Sequence, residues 1–196
     1  MYKLICTLLL SLFTGIIHAN NLHYETLAAN TQTVILHERS DQAASYTEYA
    51  AVADSITWLI SMSSRLEKFI TDPIEREEFL RTVFYEATRA GLDPQLVLSV
   101  IQVESGFKKY ALSHAGARGY MQVMPFWIEA IGHRDHNLFH LRVNLRYGCT
   151  ILRHYLNKEK GDYFRALGRY NGSLGEITYP QLVFNKWQTT WRYTAS

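Results

Sequence analysis

A mainly α-helical fold is predicted by three features. Apolar residues recur at the helical period through several stretches of the chain. Two Asp-Pro pairs, Asp72-Pro73 and Asp93-Pro94, have the form of helix starts, with Asp at the N-cap and Pro at the first helical position. No stretch shows the strict apolar/polar alternation of a half-buried strand.

The elements follow in order. Between Tyr46 and Ile70, Ile56, Leu59, Ile60, Met62, Leu66, Phe69 and Ile70 recur near the helical period. Asp72-Pro73 opens the next helix. Glu75, Glu77 and Glu78 lie in or near its first turn, where the helix dipole favours acids. Phe79, Leu80, Val83, Phe84 and Ala87 form its apolar stripe, and Gly91 ends it. Asp93-Pro94 opens a helix carrying Leu96, Val97, Val100, Ile101 and then Glu104, which stops near Ser105-Gly106. A loop follows through Gly116 and Gly119, with a small irregular β element expected near Leu112 to Tyr120. A short helix is expected from Pro125 to Ile131, then a turn from His136 to Leu141. Leu141 to Asn157 reads as a long helix with Leu145, Cys149, Leu152 and Leu156 toward the core. Asp162 caps a helix running to Tyr170, and Asn171-Gly172-Ser173 breaks it. Tyr179-Pro180 begins a last helix carrying Leu182, Val183, Phe184, Trp187 and Trp191.

Composition narrows the function. The chain has 196 residues, 47% of them hydrophobic, which is enough for a substantial core and argues against disorder. The net charge is +2 and the basic residues are scattered, so no nucleic-acid partner is expected. The 13 tyrosines and 4 tryptophans suit a sugar-binding cleft, although aromatic residues more often fill cores. MYKLICTLLLSLFTGIIHAN carries Lys3, an apolar run from Leu4 to Ile17 and the small Ala19, the pattern of a secretory signal peptide. The run is shorter than the about 20 residues of a membrane span. The expected organisation is a signal peptide over 1–19, a lead-in and helix over 20–70, and the main folded domain over 71–196, with the protein in the periplasm and no stable membrane span. Cys149 sits in an apolar helical context and reads as a buried thiol.

Glu104 is the feature that suggests chemistry. Its neighbours three, four and seven positions earlier are Ile101, Val100 and Val97, so the acid lies on an apolar helix face. Burial raises a carboxyl pKa, and a raised pKa suits a general acid near neutral pH. No further carboxylate follows until Glu129. Between them stand Ser113, two glycines that allow close backbone approach, Met121, and Gln122, whose amide can read sugar hydroxyls or acetamido groups. In GHRDHNLFH the pair His136 and His140 has the spacing of a helical metal pair, but the residues between suggest a solvated turn, so no metal and no cofactor is expected.

VESGFKKYALSHAGARGYMQVMP resembles the signature of lytic transglycosylases of the soluble (SLT) type. That pattern is Glu-Ser, then Phe, then Ala-x-Ser, then Gly-Ala-x-Gly-Leu-Met-Gln-x-Met-Pro. Glu104, Ser105, Phe107, Ala111, Ser113, Gly116, Ala117, Gly119, Met121, Gln122, Met124 and Pro125 match it in register, and Tyr120 replaces the Leu. NLRYGCTIL resembles a family helix pattern at Asn144, Leu145 and Gly148. RYNGS resembles the Ala-Tyr-Asn-Ala-Gly motif at Tyr170 and Asn171, while Arg169, Gly172 and Ser173 depart from it. The Glu-Thr-Arg-x-Tyr-Val segment is poorly matched by EITYPQLV, which leaves the C-terminal wall of the cleft unassigned.

The resemblance covers about Ala87 to Val183 and implies a lysozyme-like fold. It implies cleavage of the β-1,4 bond between N-acetylmuramic acid and N-acetylglucosamine in peptidoglycan glycan strands. Glu104 would serve as the single acid and base, and a 1,6-anhydro sugar would be the product. By the same resemblance Ser113, Gly119, Tyr120, Met121, Gln122, Tyr170 and Asn171 line or shape the substrate site. Two other readings are compatible with the residues: a muramidase that hydrolyses the same bond with water, as goose-type lysozymes do, and a non-catalytic glycan-binding scaffold. Protein partners are not legible in the sequence.

Overall fold

The computed structural model describes residues 57–194. The signal peptide expected over 1–19 and most of the lead-in expected over 20–70 lie outside them. The described residues fall into two compact units, residues 57–125 with 136–194, and residues 126–135.

In the larger unit α1 covers residues 57–66. Trp58, Met62, Leu66 and Ile70 recur every fourth position and are buried, while Ile60 faces outward despite fitting the apolar pattern. The start of α2 (Pro73–Arg89) is built as the sequence predicts, with Asp72 Oδ1 accepting a hydrogen bond from the Glu75 N–H at 2.7 Å. The helix ends in a Schellman turn. The Leu92 N–H reaches the Ala87 carbonyl and the Gly91 N–H the Thr88 carbonyl, with Gly91 at φ 64°. Buried Arg76 donates to Ser63 Oγ and to the carbonyls of Ile70 and Thr71, which fixes the α1–α2 corner.

α3 (Pro94–Glu104) is the central helix. Leu96 through Ile101 are buried without interruption, so it is covered all round rather than along a stripe. α3 packs on α2 and α7, α5 (Leu141–Lys158) on α2 and α6 (Tyr163–Asn171), and α6 on α7 (Thr178–Gln188). Leu145, Cys149, Leu152 and Leu156 of α5 are buried as expected, and burial raises the Cys149 thiol far above the range where a thiolate forms. Asp162 caps α6 through the Arg165 N–H at 3.0 Å. The irregular β element consists of isolated antiparallel bridges from Arg118 to Leu112 and to Val123. In the smaller unit α4 (Phe126–Ile131) is the short helix foreseen near Pro125.

One expectation for the last helix needs correction. α7 stops at Gln188, so Trp191 is not helical. It turns back in irregular chain, its N–H on the Lys186 carbonyl and its indole N–H on Gln102 Oε1 at 2.9 Å. Leu182 is 49% exposed and contributes little to the core. Trp191 is fully buried and packs on Phe107, the centre of a ring cluster that also takes in Phe69 and Phe79. No described helix is long and apolar enough to cross a membrane.

Candidate active site

Glu104 is the last residue of α3, and its carboxyl meets groups delivered by two other helix ends. α7 begins at Thr178 and places the Tyr179 hydroxyl 2.6 Å from Glu104 Oε1, to which it donates. α6 ends at Asn171, whose side chain also hydrogen-bonds to Glu104. Gly172 then takes the left-handed conformation, φ 82°, which closes α6 just beyond Asn171. Three helix termini thus converge on one carboxyl.

The electrostatics follow from this packing. Burial raises the Glu104 pKa above its ordinary 4.5, and the hydrogen bonds from Tyr179 and Asn171 pull it partly back down. Burial, followed by the nearby Glu104 charge, raises the Tyr170 and Tyr179 hydroxyls well above the ordinary 10. Both therefore stay protonated near neutral pH and available as donors. Among the described residues, no second carboxylate figures among the groups that shift Glu104.

The loop between α3 and α4 is held from below by α5. Asn144 is fully buried. Its amide nitrogen donates to the carbonyls of Arg118 and Leu138, both at 2.8 Å, and its Oδ1 accepts from the Met121 N–H at 2.8 Å. Every hydrogen-bonding direction of that side chain except one acceptor lone pair is then used. Tyr170 donates to the Met121 carbonyl at 2.8 Å, so the main chain of Met121 is tied on both sides. Gln122, at φ 49°, uses both amide protons on its own loop, at the carbonyls of Ala111 (3.1 Å) and Gly119 (2.9 Å).

The expected site residues separate into two groups. Asn171 hydrogen-bonds to Glu104, and Tyr170 lies close enough for the Glu104 charge to raise its hydroxyl while that hydroxyl holds the Met121 carbonyl. Tyr120 and Met121, expected to contact substrate, turn their side chains inward. Tyr120 is 3% exposed, with its ring 4.9 Å from that of Phe79, and burial, ahead of the nearby Glu75, Tyr110 and Glu78, pushes its hydroxyl up to about 12. A larger ring in place of the Leu of the resembled signature therefore fills the aromatic core. The Met121 side chain packs where Gly148 of α5 leaves room, since a Cβ there would lie 2.3 Å from Met121 Sδ. Ser113 Oγ accepts from the Ala117 N–H at 3.0 Å and shapes the loop. Gly119 is buried between Asn144 and Leu138.

Tyr179 is the site residue that sequence reasoning misses. It lies in EITYPQLV, where spacing departs from the resembled pattern, so the residue reads only as a helix start. The available signal was a tyrosine still present near the expected place. His136, the first residue of the possible metal pair, has Nδ1 2.7 Å from the Tyr147 hydroxyl.

The transglycosylase SLT domain family matches residues 81–183. A "Membrane-bound lytic murein transglycosylase C" from Actinobacillus pleuropneumoniae serotype 5b (strain L20) is 42% identical over 52 residues, which is 26% of this chain and 14% of that protein. A protein of the same name from Haemophilus influenzae (strain ATCC 51907 / DSM 11121 / KW20 / Rd) is 40% identical over 52 residues, 26% of this chain and 15% of that protein. The chain thus covers only a small part of these relatives' length. The solved lytic transglycosylase Slt from Pseudomonas aeruginosa is similar with a TM-score of 0.44 and 21% identity, over 57% of this chain and 22% of that one. The matched span runs from within α2 into α7 and includes Glu104, Gln122, Tyr170, Asn171 and Tyr179; the chain belongs to the transglycosylase SLT domain family.

Proposed function

We propose that this protein is a peptidoglycan lytic transglycosylase of the cell envelope that cleaves the MurNAc-β-1,4-GlcNAc bond with Glu104 as its single acid and base. The observation that carries this reading is the partly buried Glu104 carboxyl, held by neutral donors with no second carboxylate acting on it among the described residues. Glycosidases commonly need two carboxylates, one of them to activate water or to act as nucleophile. An intramolecular attack needs only one. Glu104, whose protonated form burial favours, gives its proton to the glycosidic oxygen as the bond to C1 breaks. The substrate's acetamido group, or an oxocarbenium-like distribution of charge, carries the developing positive charge. The carboxylate then takes the proton from the muramoyl C6 hydroxyl as that oxygen bonds to C1. A 1,6-anhydro sugar leaves, and no water is consumed.

The family match and the names of the relatives support the substrate class. Gln122 Oε1, Asn171 and Ser113 are the proposed polar contacts to the sugar. Tyr170 and Asn144 act at one remove, by fixing the Met121–Gln122 main chain. Mass spectrometry of products from purified sacculi tests the reaction. Ends lighter by one water than reducing ends are expected, whereas reducing ends alone would show hydrolysis and refute the transglycosylase reading.

Tyr179 supplies a second test. Tyr179→Phe removes a hydrogen bond that favours the carboxylate, so the Glu104 pKa rises further. A general acid with a higher pKa stays protonated to higher pH, so the alkaline limb of the pH–rate profile moves up. The rate should fall by about ten- to a hundredfold, the scale of one hydrogen bond to a charged group. An alkaline limb that does not move would show that Tyr179 does not act on the acid.

A further inference from the structure

Trp191 touches the chain on both sides of Glu104. Its indole N–H donates to Gln102 Oε1 at 2.9 Å, just before the acid, and its ring lies 5.5 Å from that of Phe107, just after it. The turn between those contacts has an uncommon backbone. Gly106 and Phe107 follow one another at φ 58° and 66°, both left-handed. Glycine takes that conformation freely, but a bulky residue rarely does. It stays there only where its surroundings over-determine it. Phe107 is buried, and the rings of Phe69, Trp191 and Phe79 close on it at 4.7, 5.5 and 5.8 Å. Trp191 thus helps to hold the turn that ends α3, and α3 ends at Glu104.

Trp191 is in turn held from the far end of the fold. α7 stops at Gln188, so no helix carries Trp191. Arg65 of α1 does the holding instead. Its Nη1 donates to the carbonyls of Thr190 at 3.3 Å and Arg192 at 2.6 Å, one on either side of Trp191. Arg65 and Trp191 both lie outside residues 81–183, the span shared with the family. We propose that Arg65 and Trp191 form a clasp that positions Glu104: Arg65 fixes the chain at residues 190–192, and Trp191 fixes Gln102 and Phe107 around the acid. Both are positioning residues, acting through the end of α3. This inference rests on Glu104 being the acid of the lytic reaction.

Two variants test the clasp. Trp191→Phe keeps a ring beside Phe107 and gives up the hydrogen bond to Gln102. Arg65→Ala leaves Trp191 in place and releases the carbonyls around it. Each should lower the initial rate of fragment release from purified sacculi by about tenfold, within the roughly hundredfold cost of moving a reacting group by about 1 Å. Co-sedimentation with sacculi should stay at the wild-type level. A loosened α3 end also admits water to the carboxyl, which removes part of the burial that favours its protonated form. The alkaline limb of the pH–rate profile should therefore move to lower pH, opposite to the shift expected for Tyr179→Phe. Wild-type rates in both variants overturn the proposal. So does a rate that falls only in step with binding and with the folded fraction seen by circular dichroism, with the alkaline limb unmoved, because the clasp would then hold the fold and not the acid. In both cases the wild-type protein still cleaves sacculi and the lytic reading stands. Absence of wild-type cleavage overturns the lytic reading and this inference with it.

Discussion

Glu104→Gln should reduce release of soluble fragments from sacculi by about 10²- to 10⁴-fold, the range a positioned general acid contributes. Glutamine keeps the size and planarity of the side chain and can still accept from Tyr179, so the site should keep its shape. What it lacks is a transferable proton. Binding should survive, and co-sedimentation of the variant with sacculi would measure that separately. Lysis at the wild-type rate would remove Glu104 from the chemistry. Loss of both lysis and binding would point to a collapsed site.

The same substitution carries a stability prediction of defined sign. The folded-state pKa of Glu104 is raised above its ordinary 4.5. A carboxyl with a raised folded pKa contributes its stability below the unfolded value and loses it as pH rises through the folded value. Ionising the partly buried Glu104 therefore weakens the fold, and Glu104→Gln should melt higher than the wild type at alkaline pH. The advantage should shrink as pH falls through the folded value and vanish below 4.5, where Glu104 is neutral in both states. A variant that melts lower at alkaline pH would contradict the direction of the shift.

Most of the helical frame was legible because its punctuation is local. Asp72-Pro73, Asp93-Pro94 and Asp162 cap their helices through their own side chains, two or three residues ahead. Gly91 and Gly172 close helices by taking φ values that other residues rarely adopt. Glu104 could be placed on a buried face from helical spacing alone. Contacts that depend on distant pairing were not legible. Nothing local in YMQ says that Tyr120 meets Phe79, or that Met121 drops into the space left by Gly148. A residue in a motif beside Glu104 can serve that motif from the core side. Tyr179 was hidden for the opposite reason. Its partner lies 75 positions earlier, and only the packing of α7 on α3 brings the two together. The return of Trp191 beyond α7 was missed because its helical spacing continued the stripe, while the chain turns to seat the indole N–H on Gln102.

Gly119→Ala is expected to be the most destabilising small substitution in the loop. Gly119 has φ 74°, in the left-handed region, where a Cβ costs about 1–2 kcal/mol. The space is also taken. A Cβ there would sit 2.5 Å from the Leu138 carbonyl oxygen and 2.5 Å from Asn144 Nδ2. The first obstacle is backbone and cannot swing aside. The second is the amide that pairs with the carbonyls of Arg118 and Leu138, so moving it leaves buried carbonyls unpaired, at about 1–3 kcal/mol. Together these give a loss of about 2–5 kcal/mol. At about 2–4 °C per kcal/mol for a chain of this size, the melting temperature should fall by roughly 4–20 °C. Gly116→Ala is the internal control. Gly116 also has positive φ, 89°, but a Cβ there meets nothing within 4 Å, so only the conformational cost applies. Calorimetric melts of the two variants separate the terms. If both lower the melting temperature equally, the Asn144 lock contributes nothing beyond the cost of the backbone conformation. If Gly119→Ala falls much further, the excess measures how firmly α5 holds the Met121–Gln122 main chain. A loosened lock should then lower lysis even where the variant stays folded, because the Tyr170–Met121 contact shares that main chain.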